Sequence, residues 1–117
     1  MSPVEITLYH NPRCTKSREA LALLRSHGIE PTIVEYLKTP PTLAELADIV
    51  KRLGVEPQTL VRKGEDVFKQ SYQGKQLDTS QWIAAIVAHP ILLERPIAVR
   101  GTRAVIGRPP ERVLELL

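Results

Sequence analysis

Val4, Ile6 and Leu8 alternate with Glu5, Thr7 and Tyr9, which predicts a first strand with one face turned inward. Asn11-Pro12 breaks it. From Thr15 the spacing turns helical: Ala20, Leu21, Leu23 and Leu24 share a face, and Gly28 is a natural stop. A β-rich run over 32–37 predicts a second strand, ended by Thr39-Pro40-Pro41. Thr42-Leu43-Ala44-Glu45 has the form of a capping box. Leu43, Leu46, Ala47 and Val50 follow at i, i+3, i+4 and i+7, so a helix is predicted to about Gly54. Pro57 opens a short helix containing Leu60 and Val61, whereas 63–77 is polar and carries no clear period. Asp78 can cap a helix with Trp82, Ile83 and Ile86 on one face, stopped by Pro90.

Two short apolar runs follow, 96–99 and 104–106, joined through Arg100-Gly101-Thr102-Arg103. A two-residue Gly-Thr loop between such runs predicts a type II′ hairpin. Pro109-Pro110 starts a last helix with Val113, Leu114 and Leu117 apolar. The order is therefore β-α-β, a helical block, then β-β-α. The leading βα units suit parallel strands with a crossover helix, and the hairpin adds antiparallel strands. The predicted class is α/β with a mixed four-stranded sheet. It forms a single domain over 1–117, with an all-helical insertion at about 40–90. No repeat or low-complexity tract interrupts this reading.

Composition narrows the function classes. A chain of 117 residues, 43% hydrophobic and 25% charged, has the make-up of an ordinary soluble domain. No apolar run approaches the ~20 residues that span a bilayer, and Met1-Ser2-Pro3-Val4-Glu5 does not read as a secretory signal. The net charge of +3 is too small to argue for nucleic acid and suits a small anionic substrate. One cysteine excludes an intramolecular disulfide, and the cytoplasm is the simplest expectation. His10, His27 and His89 are scattered relative to Cys14 and match no usual zinc spacing.

Cys14 is the candidate nucleophile. It lies between a predicted strand and a predicted helix, where unpaired backbone N–H groups and the helix dipole both favour thiolate over thiol. Such surroundings can lower a cysteine pKa from ~8.5 to about 3.5–7.5. Arg13, Lys16 and Arg18 add positive charge nearby, and the same helix end can hold an anion. A buried, inert cysteine is the alternative, but the surrounding run from His10 to Arg18 is polar. Spacing rules out two other chemistries. A Cys-x-x-Cys pair would need Cys at position 17, where Ser17 stands, and a cysteine phosphatase loop would need Arg where Ala20 stands. The Ser17 hydroxyl could hydrogen-bond the thiolate or cap the helix. A lone thiol has no resolving partner in its own chain, so an external thiol must complete any redox cycle; glutathione with glutaredoxin is the natural candidate.

The run Tyr9-His10-Asn11-Pro12-Arg13-Cys14-Thr15-Lys16-Ser17-Arg18-Glu19 resembles the active-site loop of the glutaredoxin-coupled arsenate reductase (ArsC-like) family, in its shorter form. The likeness continues through Gly28-Ile29-Glu30-Pro31, Tyr36-Leu37, Leu60-Val61-Arg62-Lys63, His89-Pro90-Ile91-Leu92, Glu94-Arg95-Pro96-Ile97 and Gly107-Arg108-Pro109. It implies a thioredoxin-like fold with a helical insertion. It implies that Cys14 attacks arsenate to form a thiol–arsenate adduct, that Arg62, Arg95 and Arg108 bind the oxyanion, and that glutathione and glutaredoxin return the thiol, as arsenic detoxification requires. Guanidinium groups suit this task, since their planar forks neutralise and orient a tetrahedral anion that a thiolate would repel. Asn11 and Ser17 support the loop, and Pro96 is expected as a cis proline facing the site. His10 either tunes the thiol electrostatically or braces the loop through its ring. Trp82, His27 and His89 read as core or helix-end residues, and Lys51, Arg52 and Lys63 as solvated charges. Neither a metal nor a bound cofactor is expected, with glutathione as co-substrate. The expected partners include no nucleic acid and no membrane, and the chain is expected to be a monomer. Two alternatives stand beside this. Spx-type regulators, which bind RNA polymerase, share the fold and the start of the loop but typically carry the Cys-x-x-Cys that Ser17 removes. A glutathione-dependent reductase of another substrate would keep the chemistry.

Overall fold

The computed structural model describes residues 5–117, so the predicted strand position Val4 lies outside the described residues. Two compact units are present. One combines the chain up to Thr39 with Arg95–Leu117, and the other is Pro40–Glu94.

The first unit holds a four-stranded mixed sheet with strands β1 (Thr7–Tyr9), β2 (Thr32–Val34), β3 (Ile97–Arg100) and β4 (Arg103–Ile106), in the order β2-β1-β3-β4. β1 runs parallel to β2 through the crossover helix α1 (Thr15–Ser26), while β3 and β4 are antiparallel additions. This is the mixed four-stranded α/β arrangement that the element order predicts, and the thioredoxin-like fold that the family resemblance implies. Ile6 and Leu8 bury on the inward face with Ala98 and Val105, and Ala20 and Leu24 of α1 cover them. α1 is closed by Gly28 N–H to Arg25 O and Ile29 N–H to Leu24 O, a Schellman arrangement, with Ile29 packed on the same core. The hairpin loop is type II′. Arg100 pairs with Arg103, Gly101 has φ +59°, and Thr102 keeps a negative φ, which a type I′ turn would forbid.

Two elements of this unit differ from expectation. The second strand stops at Val34 rather than Leu37. The Glu35 carbonyl accepts from both Lys38 and Thr39 N–H, so the β-rich run bends into a turn that buries Tyr36 fully and leaves Leu37 exposed. The terminal helix, Pro110–Leu116, is a 3-10 helix. Its period of three sets Pro110, Val113 and Leu116 on one buried face, so Leu116, not Leu117, joins the core.

The second unit comprises α2 (Leu43–Leu53), α3 (Asp66–Ser71) and α4 (Thr79–Ala88), with 3-10 turns at Pro57–Leu60 and Pro90–Leu92. Both predicted caps form as capping boxes. Thr42 pairs reciprocally with Glu45, and Asp78 with Gln81. The α2 stripe is rotated from its predicted position: Leu46, Ile49 and Val50 are buried, while Leu43 and Ala47 are exposed. α3 fills part of the polar stretch by burying Phe68. The unit is not wholly helical. Val61 bridges Leu93 antiparallel, reinforced by Arg62 N–H to Leu92 O and Glu94 N–H to Leu60 O. No helix among the described residues is long and apolar enough to cross a membrane.

Candidate active site

The loop between β1 and α1 is fixed by its own short-range bonds. The Asn11 side-chain oxygen accepts from Arg13 N–H at 3.0 Å, and the Asn11 carbonyl accepts from Cys14 N–H at 2.9 Å. These bonds turn the chain so that Cys14 occupies the N-cap of α1, with extended φ and ψ of −91° and 123°. No conventional side-chain cap forms there. Instead the sulfur faces the free backbone N–H groups of Ser17 and Lys16, which would otherwise have no partner in the helix.

Four polar or charged residues are buried among those described: His10, Asn11, Ser17 and Arg95. All four belong to this loop, the start of its helix or the turn that faces it. Burial on that scale needs internal partners. The Ser17 hydroxyl lies 2.6 Å from His10 Nδ1 and accepts from Asn11 N–H at 3.0 Å. It is therefore committed to bracing the loop. Neither expected role, hydrogen-bonding the thiolate or capping the helix, belongs to this hydroxyl; the backbone N–H of Ser17 serves the sulfur. His10 has its pKa lowered, chiefly by burial, against an opposing pull from Glu35. A neutral ring bonded to Ser17 fits the bracing role better than electrostatic tuning of the thiol.

Two arginines reach the sulfur from the end of the chain. Arg108 Nη2 donates toward Cys14 Sγ at 3.6 Å, while its Nε donates to the Arg95 carbonyl at 2.7 Å. The Arg95 guanidinium also hydrogen-bonds the sulfur. Burial raises the Cys14 pKa, but the Ser17 N–H, the Arg95 hydrogen bond, the Lys16 N–H and the Arg108 charge outweigh it, and the net shift is downward. Cys14 remains partly exposed, so its thiolate is open to a reaction partner. The neighbouring cations of the sequence are employed differently. Arg18 is bound to the Pro12 carbonyl and Thr15 Oγ1, Lys16 lies 3.9 Å from Glu19, and Arg13 is exposed.

Pro96 is cis, as expected, and the Arg108–Pro109 bond is cis as well. Gly107 packs against Pro96. A Cβ built on it would lie 2.7 Å from Pro96 Cγ and 3.1 Å from Val113 Cγ1, and its N–H donates to the Pro96 carbonyl at 2.8 Å. Gly107 thus seats the Arg95–Pro96 turn beside Arg108. The sequence offered no role for Gly107, quoted only as the neighbour of Arg108, and none for Glu35. Arg62 belongs to the second unit, where its Nε lies 3.5 Å from Glu65. The structure thus brings together Cys14, Arg95 and Arg108, with His10, Asn11, Ser17 and Pro96 around them. Among the described residues no three His, Cys, Asp or Glu side chains gather as metal ligands would.

The chain as a whole resembles known proteins. The chain is 46% identical to the uncharacterized protein YfgD of Escherichia coli over 97% of each chain. It is 44% identical to an arsenate reductase of Haemophilus influenzae, covering 97% of this chain and all of that one. The solved structure of an arsenate reductase from Vibrio cholerae superposes with a TM-score of 0.95 at 43% identity, covering 99% of this chain and 100% of that one. Residues 9–116 match the ArsC family throughout, and the chain belongs to that family.

Proposed function

We propose that this protein reduces arsenate to arsenite with Cys14 as nucleophile and glutathione and glutaredoxin as the thiol donors. The observation that carries the reading is a partly exposed cysteine at a helix N-terminus with Arg95 and Arg108 on its sulfur. The names of the relatives from Haemophilus influenzae and Vibrio cholerae support the substrate.

In the first step the Cys14 thiolate attacks arsenic(V), and an arsenate hydroxyl takes up a proton from solvent and leaves as water, giving a thiol–arsenate adduct. The guanidinium groups offset the repulsion between two anions and stabilise charge that grows on the arsenate oxygens. Glutathione thiolate then attacks the Cys14 sulfur. The sulfur–arsenic electron pair departs with arsenic, which becomes arsenic(III) and leaves as arsenite. Cys14 is left as a mixed disulfide with glutathione. Glutaredoxin thiolate takes the glutathionyl group and frees Cys14. Two thiols are oxidised and arsenic gains two electrons. Arg62 is proposed as a third oxyanion ligand, as the family resemblance implies.

Arsenate-dependent NADPH consumption, coupled through glutathione, glutaredoxin and glutathione reductase, tests this. The expected result is turnover with the native chain and none with Cys14→Ser. Undiminished turnover in that variant overturns the mechanism. Reduction of glutathione mixed disulfides with arsenate inert would keep the thiol chemistry and replace the substrate.

A further inference from the structure

A cavity lined wholly by residues of Pro40–Glu94 takes no part in the chemistry above. It measures about 590 Å³, within the range of small-molecule sites. Phe68, Tyr72 and Trp82 line it. Phe68 and Trp82 stack with ring centres 6.3 Å apart, and Tyr72 tilts against Trp82 at 6.2 Å. Lys63, Lys69 and Lys75 stand around the same space, and no carboxylate lines it.

Like Lys51, these lysines lack the ion pairs that Lys16 and Lys38 make, but here three of them line one cavity. Lys16 reaches Glu19 and Lys38 reaches Glu35. Lys63, Lys69 and Lys75 have no carboxylate partner among the described residues, and Lys75 instead lies 5.8 Å from the Tyr72 ring centre. Three unneutralised ammonium groups gathered on one aromatic-lined cavity repel one another unless an anion joins them. The aromatic wall adds a preference for a flat ring, through stacking or edge contacts. Glutamines at the rim, Gln58 among them, supply neutral hydrogen-bonding groups.

We propose that this cavity binds a flat heteroaromatic ring carrying a phosphate, the chemistry of a nucleotide. The ring lies against Tyr72 and the small parts of the buried Phe68–Trp82 pair that reach the cavity, and the phosphate is held by Lys63, Lys69 and Lys75. The inference stands apart from the proposed arsenate chemistry, since none of these residues belongs to the Cys14 site.

Trp82 is the only tryptophan of the chain, so its emission reports on this cavity directly. The test is a fluorescence titration of the full-length protein with AMP, with adenosine and inorganic phosphate as separate arms. The expected result is a saturable change in emission with a Kd of about 1 mM or tighter, and at least about tenfold weaker binding of either half alone. Lys69→Ala combined with Lys75→Ala is expected to weaken AMP binding by about tenfold and to flatten its salt dependence. Circular dichroism of that exposed-site variant confirms that it folds. Cys14→Ser is expected to bind AMP as the native chain does, which separates this site from the oxyanion site. The proposal is overturned by an emission unchanged through several millimolar AMP, by phosphate or adenosine binding as tightly as AMP, or by a folded lysine variant that binds like the native chain.

Discussion

Gly107→Ala probes the seat of the site more sharply than removal of a charged group. The native φ of Gly107 is not left-handed, so alanine meets no backbone penalty there and the effect isolates packing. The new methyl would lie 2.7 Å from Pro96 Cγ and 3.1 Å from Val113 Cγ1. The Pro96 ring is joined to the backbone at both ends and cannot swing away as a flexible side chain would. Either Pro96 moves, taking Arg95 with it, or the Gly107 strand end withdraws and takes Arg108. Overpacking of this kind costs about 1–3 kcal/mol. For a chain of 117 residues that corresponds to a Tm lowered by about 4–12 °C. The paired control is Gly64→Ala, where a Cβ meets nothing within 4 Å; its stability should stay level or rise by up to ~1 kcal/mol. Thermal unfolding followed by circular dichroism measures both. The same Gly107 variant should react more slowly with iodoacetamide at neutral pH, because its thiolate has lost part of its guanidinium shell. Equal melting temperatures for Gly107→Ala and the native chain would refute the packing argument, and an unchanged alkylation rate would refute its link to Cys14.

The rate of Cys14 alkylation against pH should show its midpoint below the ordinary thiol range, and Arg108→Ala should move that midpoint upward. A depressed thiol pKa stabilises the fold above the unfolded-state pKa and loses that contribution as pH falls through the folded one, so Cys14→Ser should flatten the melting profile across that window. His10 has a lowered pKa for the same sign of linkage. Stability should fall as pH drops below the ordinary imidazole range, and less steeply in His10→Gln, as melting curves in a pH series will read. Ser17→Ala leaves both His10 Nδ1 and Asn11 N–H buried without their partner and should cost about 1–3 kcal/mol for each group left unsatisfied, measured by urea unfolding. Thr42→Ala removes one half of a capping box and should cost ~1 kcal/mol in the same assay.

The legible parts of this fold were those governed by local rules. Alternation gave β1 from Ile6 and Leu8, the Thr42 capping box and the Asp78 cap announced α2 and α4, and Gly101-Thr102 specified its hairpin turn. The illegible parts were decided by contacts distant in sequence. Residues 35–37 have strand-forming composition, yet the Glu35 carbonyl draws two later N–H groups and Tyr36 finds full burial in the resulting turn. Leu43 fits the apolar period of α2, but the partner surface meets Ile49 instead. At the site, position alone marked Cys14, because helix-start chemistry is local. The cations acting on it could not be deduced that way. Arg13, Lys16 and Arg18 stand beside it in sequence, while Arg95 and Arg108 arrive through the hairpin. Family resemblance supplied those two, and the hydroxyl of Ser17 proved to be engaged with His10.

The attachment of Arg108 to the Arg95 carbonyl makes one planar group serve two clients. One nitrogen pins the turn, and another on the same rigid plane is thereby aimed at sulfur. Lysine offers a single nitrogen on a flexible stem and can satisfy either client, not both. Exchange of this arginine for lysine therefore conserves charge but uncouples the shape of the turn from the reactivity of the thiol. Tolerance of that exchange would indicate that the site needs a cation there and nothing more.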